Sequence, residues 1–140
     1  MAKPKGKPLV YIASPYRLGN KARNVRRQVD AAHRLMRMGY AAWPPLLNHY
    51  IDVVHRHGEG EWLEQDMVLL RRCDALLRLS GESRGADLEV RMAGEWGIPV
   101  AHSYAELRRL HGTSRRLPHR QSTPVRAQSN KRPVRVYPKG

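Results

Sequence analysis

The chain has one cysteine, Cys73, among its 140 residues, so an internal disulfide is excluded. It has no apolar run near the roughly 20 residues that a bilayer-spanning helix needs. The apolar stretch that follows the basic N-terminus is too short for a signal peptide. From these absences we expect no membrane partner and a cytoplasmic location.

Two nucleotide-binding motifs are also missing. Neither G-x-x-x-x-G-K-[ST] nor G-x-G-x-x-G occurs in the sequence. This disfavours nucleoside triphosphate hydrolysis and dinucleotide binding. His55 and His57 lie close together, but the sequence offers no evident third ligand beside them, so we expect no metal site.

Acidic residues are scarce at the C-terminal end. Residues 111–140 contain eight Lys and Arg, four Pro and no Asp or Glu, and they account for eight of the net charge of +14. Without apolar periodicity, this composition predicts a disordered basic tail that contacts nucleic acid through its phosphates. Residues 1–8 are predicted to be a disordered lead, and residues 9–110 a single domain whose basic character favours anionic ligands.

Apolar strand-like runs alternate with helical patterns through that domain. The predicted strands cover residues 9–13, 40–43, 74–79 and 98–101, and the predicted helices 21–39, 61–72, 85–96 and 103–110. This alternation predicts an α/β three-layer sandwich of the Rossmann or flavodoxin type, with a small parallel sheet of order 2-1-3-4. Residues 46–57 fit either a short helix or an irregular lid.

Two predicted helices have an apolar stripe that should face the sheet. In the first, the stripe is Val25, Val29, Ala32 and Met36, with four arginines on the opposite face. In the helix over 61–72, the apolar face is Trp62, Leu63, Met67 and Leu70.

Two loops follow predicted strands and should lie side by side at the carboxyl edge of the sheet, where open α/β proteins bind ligands. The first offers a hydroxyl, a guanidinium and a glycine backbone, from Ser14, Arg17 and Gly19. The second leads into a helix whose N-terminus, at Ser83 and Gly85, suits an anion. The simpler alternative for the first loop is a polar turn.

Two acids stand out on the predicted helices. Asp66 lies on or beside the apolar side of its helix, and Glu89 lies about one turn into the helix that begins near Gly85. A single acid on a helix is most often just solvated. Two carboxylates that face one pocket, however, suit chemistry at a sugar carbon, where one attacks the anomeric centre and the other holds a hydroxyl.

These residues resemble a known family. The segment Tyr11-Ile12-Ala13-Ser14-Pro15, Asp66 with Cys73-Asp74, and the pattern Ser83-x-Gly85-x-x-x-Glu89 are similar to the nucleoside 2-deoxyribosyltransferase superfamily. Within it, the resemblance is to the 2′-deoxynucleoside 5′-monophosphate N-glycosidases and related small phage-type proteins. It covers roughly Leu9 to Ala101. It implies a fifth strand as well, for which the sequence has no clear match.

The resemblance implies a role for each matching position. Glu89 falls on the nucleophile that attacks C1′, Asp66 on the acid that binds the sugar hydroxyl, and Tyr11 on the tyrosine beside the nucleophile. The remaining matches concern substrate binding: Arg17 and Gly19 fall on phosphate contacts in the first loop, and Ser83 on a phosphate-binding serine. Asn48-His49 follows the second strand, where a histidine can reach the nucleobase; a packing histidine is the equal alternative.

The predicted activity is therefore hydrolysis of the N-glycosidic bond of a nucleoside 5′-monophosphate, in which Ser14, Arg17, Ser83 and Gly85 hold the phosphate. The resemblance implies no metal or organic cofactor, and a homo-oligomer, most simply a dimer. Three alternatives stay open: base exchange by a transferase, a non-catalytic module that binds nucleotides or nucleic acid, and a nucleotide sensor that has lost the chemistry.

Overall fold

A computed structural model describes residues 6–112 of the chain. Ten elements follow one another in this part. They are β1 (Leu9–Ala13), α1 (Lys21–Arg37), β2 (Ala41–Trp43), a 3-10 turn (Pro45–Leu47), α2 (Asn48–Val54), α3 (Glu59–Leu70), β3 (Ala75–Arg78), α4 (Arg84–Glu95), β4 (Val100–Ala101) and α5 (Tyr104–Leu110). The predicted tail falls, apart from His111 and Gly112, outside the described residues, as does the predicted lead up to residue 5.

The four strands of the described residues form one parallel sheet of order β2-β1-β3-β4, as the alternation of elements predicted. β1 is central: Tyr11 pairs with Trp43 of β2 on one side and with Leu76 of β3 on the other. Right-handed crossovers then place helices on both faces, which gives the predicted three-layer α/β sandwich.

Alternation along β1 and β3 divides the core into two clusters. Val10, Ile12 and Leu77 face α1 and α5. Tyr11 and Leu76 face the opposite way, toward α3 and α4. Successive side chains of a strand point to opposite faces, so each β1 residue serves one layer only. Tyr11 is thereby committed to the α3–α4 side.

The predicted apolar stripe of α1 is wrong in part. Val25 and Ala32 are buried, but Val29 and Met36 are exposed, and Gln28 and Leu35 take their places against the sheet. Positions 28 and 35 fit the helical period as well as 29 and 36 do. The polar Gln28 made the correct face look less apolar than the neighbouring one.

The helix predicted over 61–72 begins and ends two residues earlier, as α3. Its predicted face is also only partly buried: Leu70 is fully enclosed, whereas Leu63 is exposed. Trp62 lies at the edge of the fold and donates its indole N–H to Asp52 Oδ1 at 2.9 Å. The 46–57 segment resolves into the 3-10 turn and α2, so the helical alternative for it is the correct one.

The loops that follow β1 and β3 meet at the carboxyl edge of the sheet. The Leu79 N–H donates to the Ala13 carbonyl at 2.9 Å. Gly81 has a φ of +116°, and a Cβ there would lie 2.8 Å from Cγ of Pro15, so a larger residue would push the loops apart. The expected side-by-side placement of the two loops is confirmed.

None of the helices formed by residues 6–112 combines the length and hydropathy that a membrane-spanning helix needs.

Candidate functional site

Tyr11 and Glu89 form the centre of the candidate site. The Tyr11 hydroxyl donates to Glu89 Oε1 at 2.7 Å in the interior between β1 and α4. Glu89 belongs to the buried stripe of α4, with Ala86 and Ala93 one turn to either side. Glu89 therefore points toward the sheet together with these alanines. It lies on the same face of the sheet as the Tyr11 side chain.

Asp66 approaches the same place from α3. Its Oδ1 accepts a long hydrogen bond of 3.3 Å from the Asn48 side-chain amide, at the start of α2. Burial is the main cause that raises the pKa of both Tyr11 and Glu89, and the charge of Asp66 raises both further, so Asp66 is within electrostatic reach of the other two groups. The structure thus brings together the three residues that the sequence analysis named as catalytic.

Burial dominates the acid–base properties of this cluster. It raises the pKa of Glu89 to about 8, against the opposing effects of the Tyr11 hydrogen bond and the Arg78 charge. Burial also raises the pKa of Asp66 to about 7, and the Asn48 amide lowers it. A carboxyl in a structural ion pair has a lowered pKa, whereas the pKa values of these two carboxyls are raised. Raised pKa values in neighbouring carboxyls are typical of functional sites.

Gln28 is a positioning residue that the sequence analysis missed. Its amide nitrogen donates to the Ile12 carbonyl at 2.9 Å and to Ser14 Oγ at 2.8 Å, and its amide oxygen accepts from the Leu46 N–H at 3.0 Å. One buried side chain therefore joins α1, the loop after β1 and the segment before α2. A glutamine among arginines gives no sequence signal of such a role.

Arg78 is a second residue that was missed. This arginine ends β3 and is only 9% exposed. It donates to the carbonyls of Leu79 and Gly81 and to Asp87 Oδ1, the last at 3.0 Å. The signal for it was an arginine inside an apolar strand, because a charge so placed needs partners. Arg78 holds the loop before α4 and adds positive charge near Glu89.

The predicted phosphate-binding residues of the first loop have different surroundings. Ser14 is buried and its hydroxyl oxygen accepts from Gln28. Arg17 is exposed and forms an ion pair with Glu59 at the start of α3. Gly19, with a φ of +81°, has open space around it.

Ser83 and Gly85 lie at the N-terminus of α4, as predicted. Ser83 is the N-cap, and its Oγ accepts from the Ala86 N–H at 3.2 Å. The cap uses the oxygen of the hydroxyl, so the hydroxyl proton stays available for an anion at the helix end. A Cβ at Gly85 would meet only Ser83 Oγ, at an ordinary 3.9 Å, so a larger residue would fit there.

His49 lies in α2 and is half-buried. Its Nδ1 is 2.7 Å from the Tyr16 hydroxyl, and the two rings pack edge to face with centroids 5.8 Å apart. This contact joins the loop after β1 to α2. Within residues 6–112 no cluster of three or more His, Cys, Asp or Glu is arranged to hold a metal ion.

Two hollows open on the described surface near the carboxyl edge. The smaller, of about 270 Å³, is lined by Arg78, Asp87, His102 and the loop after β3. The larger, of about 740 Å³, lies along α1. Asp66 and Glu89 line neither of them. Glu89 is only 9% exposed.

Comparison with known proteins adds one relationship. No protein-family model matches the chain, and no curated protein matches it. Among solved structures, it is similar to a 2-deoxyribosyltransferase from the psychrotolerant bacterium Bacillus psychrosaccharolyticus, with a TM-score of 0.52 and 21% sequence identity. The match covers 66% of this chain and 69% of that one. The protein therefore has a deoxyribosyltransferase-like, Rossmann-like α/β fold.

Proposed function

We propose that this protein breaks the N-glycosidic bond of a nucleoside 5′-monophosphate, with Glu89 as the nucleophile. The observation that carries the proposal is the buried Glu89 carboxyl, held at 2.7 Å by the Tyr11 hydroxyl and within electrostatic reach of Asp66. Glu89 belongs to α4, the helix that follows β3 at the carboxyl edge of the parallel sheet, where proteins of this architecture bind ligands.

The reaction follows from the chemistry of these groups. The Glu89 carboxylate forms a bond to C1′ while the N-glycosidic bond breaks and its electron pair leaves with the base. Asp66 holds a sugar hydroxyl, and Tyr11 orients the nucleophile. Water then attacks C1′ and the bond from C1′ to Glu89 breaks, which releases the sugar 5-phosphate and the free carboxylate. The proton that the water loses is taken up by the departed base. A desolvated carboxylate is poorly stabilised, which makes it a stronger nucleophile than one in water.

The 5′-phosphate is assigned to the N-terminus of α4. The Ser83 hydroxyl and the first N–H groups of this helix face the same end, and the helix dipole favours an anion there. In the family that the sequence resembles, the transferases that act on free nucleosides have an acid in place of this serine. Ser83 therefore supports a phosphorylated substrate.

The test is chromatography of a panel of nucleosides and nucleoside 5′-monophosphates, in ribose and deoxyribose forms, after incubation with the full chain. We expect free base from at least one monophosphate. Glu89→Gln should lower the rate at least about 10³-fold and Asp66→Asn about 10²-fold. The exposed Glu95 and Glu64, on the same two helices, provide matched controls, and Glu95→Gln and Glu64→Gln should keep wild-type rates.

The pH profile gives a second measure of the same mechanism. The nucleophile must be deprotonated, and burial raises the pKa of Glu89 to about 8. The value of kcat/KM should therefore rise with pH up to about 8 and then level off. Release of no base from any substrate, or an active Glu89→Gln, would contradict the proposal.

Base exchange is the second candidate, and the similar 2-deoxyribosyltransferase structure favours it. The same glycosyl–Glu89 intermediate would then be attacked by a second base instead of water. Adding a labelled free base to the reaction separates the two candidates. A transferase forms a labelled nucleoside or nucleotide, whereas a hydrolase yields only the free sugar product.

A further inference from the structure

The exposed surface of α1 is rich in arginine. α1 contains six Lys and Arg in 17 residues, namely Lys21, Arg23, Arg26, Arg27, Arg34 and Arg37, and a single acid, Asp30. Its first turn has no acid at all, although the positive end of the helix dipole favours one. The basic residues at that end cost the helix stability, so their placement is not explained by folding.

Part of this charge lines a groove. The larger hollow, of about 740 Å³, runs between α1 and the start of α5. We call it the arginine groove and define it by Arg23, Arg26, Arg27, Arg34 and Tyr104. The Arg34 guanidinium lies 4.0 Å from the Tyr104 ring centroid, which fixes one charge at the α5 side.

The groove lies on the face of the sheet opposite to Glu89. Its helices pack on Val10 and Ile12, whereas Glu89 packs on the Tyr11 side. Arg27 connects the groove to the loop after β3: its guanidinium donates to the Ser80 carbonyl at 2.6 Å and to Ser80 Oγ at 2.9 Å. Asn24, which also lines the groove, donates to the carbonyls of Tyr16 and Leu18 in the loop after β1. The groove therefore does not belong to the glycosidic-bond chemistry proposed above.

We propose that the arginine groove is a docking surface for the phosphate backbone of nucleic acid. Arg23 and Arg34 are separated by 11 residues, or about 16 Å along the helix. One strand of a duplex advances about 3.4 Å per phosphate, so the groove spans roughly four to five phosphates. The forked donors of arginine match phosphate oxygens better than the point charge of lysine does.

The exposed Arg23 and Arg26 are available for such a ligand, whereas Arg27 is held by Ser80 and Arg34 lies over the Tyr104 ring. Arg26 pairs with Asp30 at 3.0 Å, but both side chains are well exposed, and an exposed pair of this kind holds its partners weakly. An anionic membrane is a poorer fit, because the apolar face of α1 packs against the sheet and only Val29 and Met36 are left exposed on this helix to insert into a bilayer. The chain that follows α5 carries eight further cations, which would strengthen the same attraction.

The test is fluorescence anisotropy of the full chain with labelled 20-nucleotide DNA, single-stranded and duplex, from 50 to 200 mM salt. The variant is Arg23→Gln/Arg26→Gln/Arg34→Gln, which leaves Arg27 on Ser80. The matched control is Arg56→Gln/Arg72→Gln/Arg91→Gln, three exposed arginines outside the groove. Both triple variants lose three charges and keep all the cations of residues 111–140.

The groove variant should bind at least about 10-fold more weakly at 100 mM salt, and the slope of log Kd against log salt should fall by about two to three. The control should change affinity less than about 3-fold, and Glu89→Gln should bind as wild type does, so that this result is independent of the proposed enzyme activity.

Four outcomes would overturn the groove proposal: no DNA binding at 50 mM salt, equal weakening in both triple variants, an unchanged groove variant, or displacement of DNA by polyglutamate at equal charge concentration. Groove-dependent binding of phosphatidylserine vesicles without DNA binding would instead assign the surface to membranes.

Discussion

The two helical layers of this protein treat charge in opposite ways. The α3–α4 layer carries the buried Glu89 and the half-buried Asp66, and burial raises the pKa values of these carboxyls to about 8 and about 7. The α1–α5 layer leaves its arginines at the surface, along an open groove. Charge that is removed from water costs free energy and becomes chemically reactive, whereas solvated charge costs little and acts at longer range.

The two layers therefore suit different tasks within one small domain. The inner acids suit bond making at a single atom, which needs fixed geometry and little water. The outer arginines suit a long polyanion, which needs many weak contacts and tolerates movement. Three substitutions or conditions test this contrast, and the first concerns a buried polar residue of α1.

Gln28 belongs to α1 but points inward, so its replacement should have the largest effect on stability. Gln28→Leu would leave the Ile12 carbonyl and the Leu46 N–H without their partner in the interior. We expect a loss of about 3 kcal/mol in the free energy of unfolding, measured by urea denaturation. Gln65→Leu, at an exposed glutamine of α3, is the control and should change it by less than about 0.5 kcal/mol.

A structural role for Gln28 alone would leave the substrate affinity unchanged in the folded fraction. Because Gln28 also holds Ser14 and the segment before Asn48, we expect KM to rise in Gln28→Leu at temperatures where the variant is folded. An unfolding free energy equal to that of Gln65→Leu would show that water replaces the amide, and that α1 is not joined to the loop after β1 through it.

The burial of Gln28 was not predicted from the sequence, whereas much of the fold was. β1 was predicted at its observed bounds and the sheet order was predicted correctly, because apolar β-formers and alternating helices are local signals. The buried face of α1 was misplaced by one position, since a polar side chain counts against burial unless its partners are known. Those partners, Ile12, Ser14 and Leu46, come from other elements, and only the folded chain brings them together.

The site divides in the same way. Tyr11, Asp66 and Glu89 could be named from the sequence because the resemblance to a family supplied their spacing, and the fold does bring them together. Arg78 and Asn48 were not assigned roles. Arg78 donates to Asp87, 9 residues away, and Asn48 donates to Asp66, 18 residues away. No periodic pattern in the sequence indicates hydrogen bonds between residues at such separations.

The second test changes the charge of the two carboxyls of the α3–α4 layer by changing the pH. The pKa values of Glu89 and Asp66 are raised in the folded chain, so from about pH 4 to pH 8 the folded state holds protons that the unfolded chain has released. The free energy of unfolding therefore falls as pH rises through this window. Wild type should melt at a lower temperature at pH 8.5 than at pH 5.5.

Glu89→Gln isolates the contribution of one carboxyl, because the amide oxygen still accepts from Tyr11 and carries no charge. At pH 8.5 we expect it to be about 2 kcal/mol more stable than wild type, which corresponds to a rise of roughly 8 °C in Tm. At pH 5.5 the two should be nearly equal. Glu95→Gln, on the exposed face of α4, should show no such pH dependence. A Glu89→Gln that is no more stable than wild type at pH 8.5 would mean that the carboxyl is well solvated.

The smallest expected effect on stability concerns the α1–α5 layer, at the first turn of α1. Asn20 caps this helix by accepting from the Arg23 N–H at 3.0 Å, so residue 23 is the third helical position. A glutamate there can reach back to the Asn20 N–H and also faces the positive end of the dipole. Arg23→Glu should therefore raise the free energy of unfolding by about 0.5 kcal/mol while it weakens DNA binding.

Arg37→Glu is the matched control for this prediction, because it removes the same charge from the last turn of the same helix, where the dipole favours a cation. It should lower stability by about 0.5 kcal/mol, so that thermal melts of the two variants shift in opposite directions. Equal stabilisation of both would show that relief of the net charge of +14 dominates. Opposite shifts, with DNA affinity reduced by Arg23→Glu, would mean that the basic first turn of α1 gives up stability for binding.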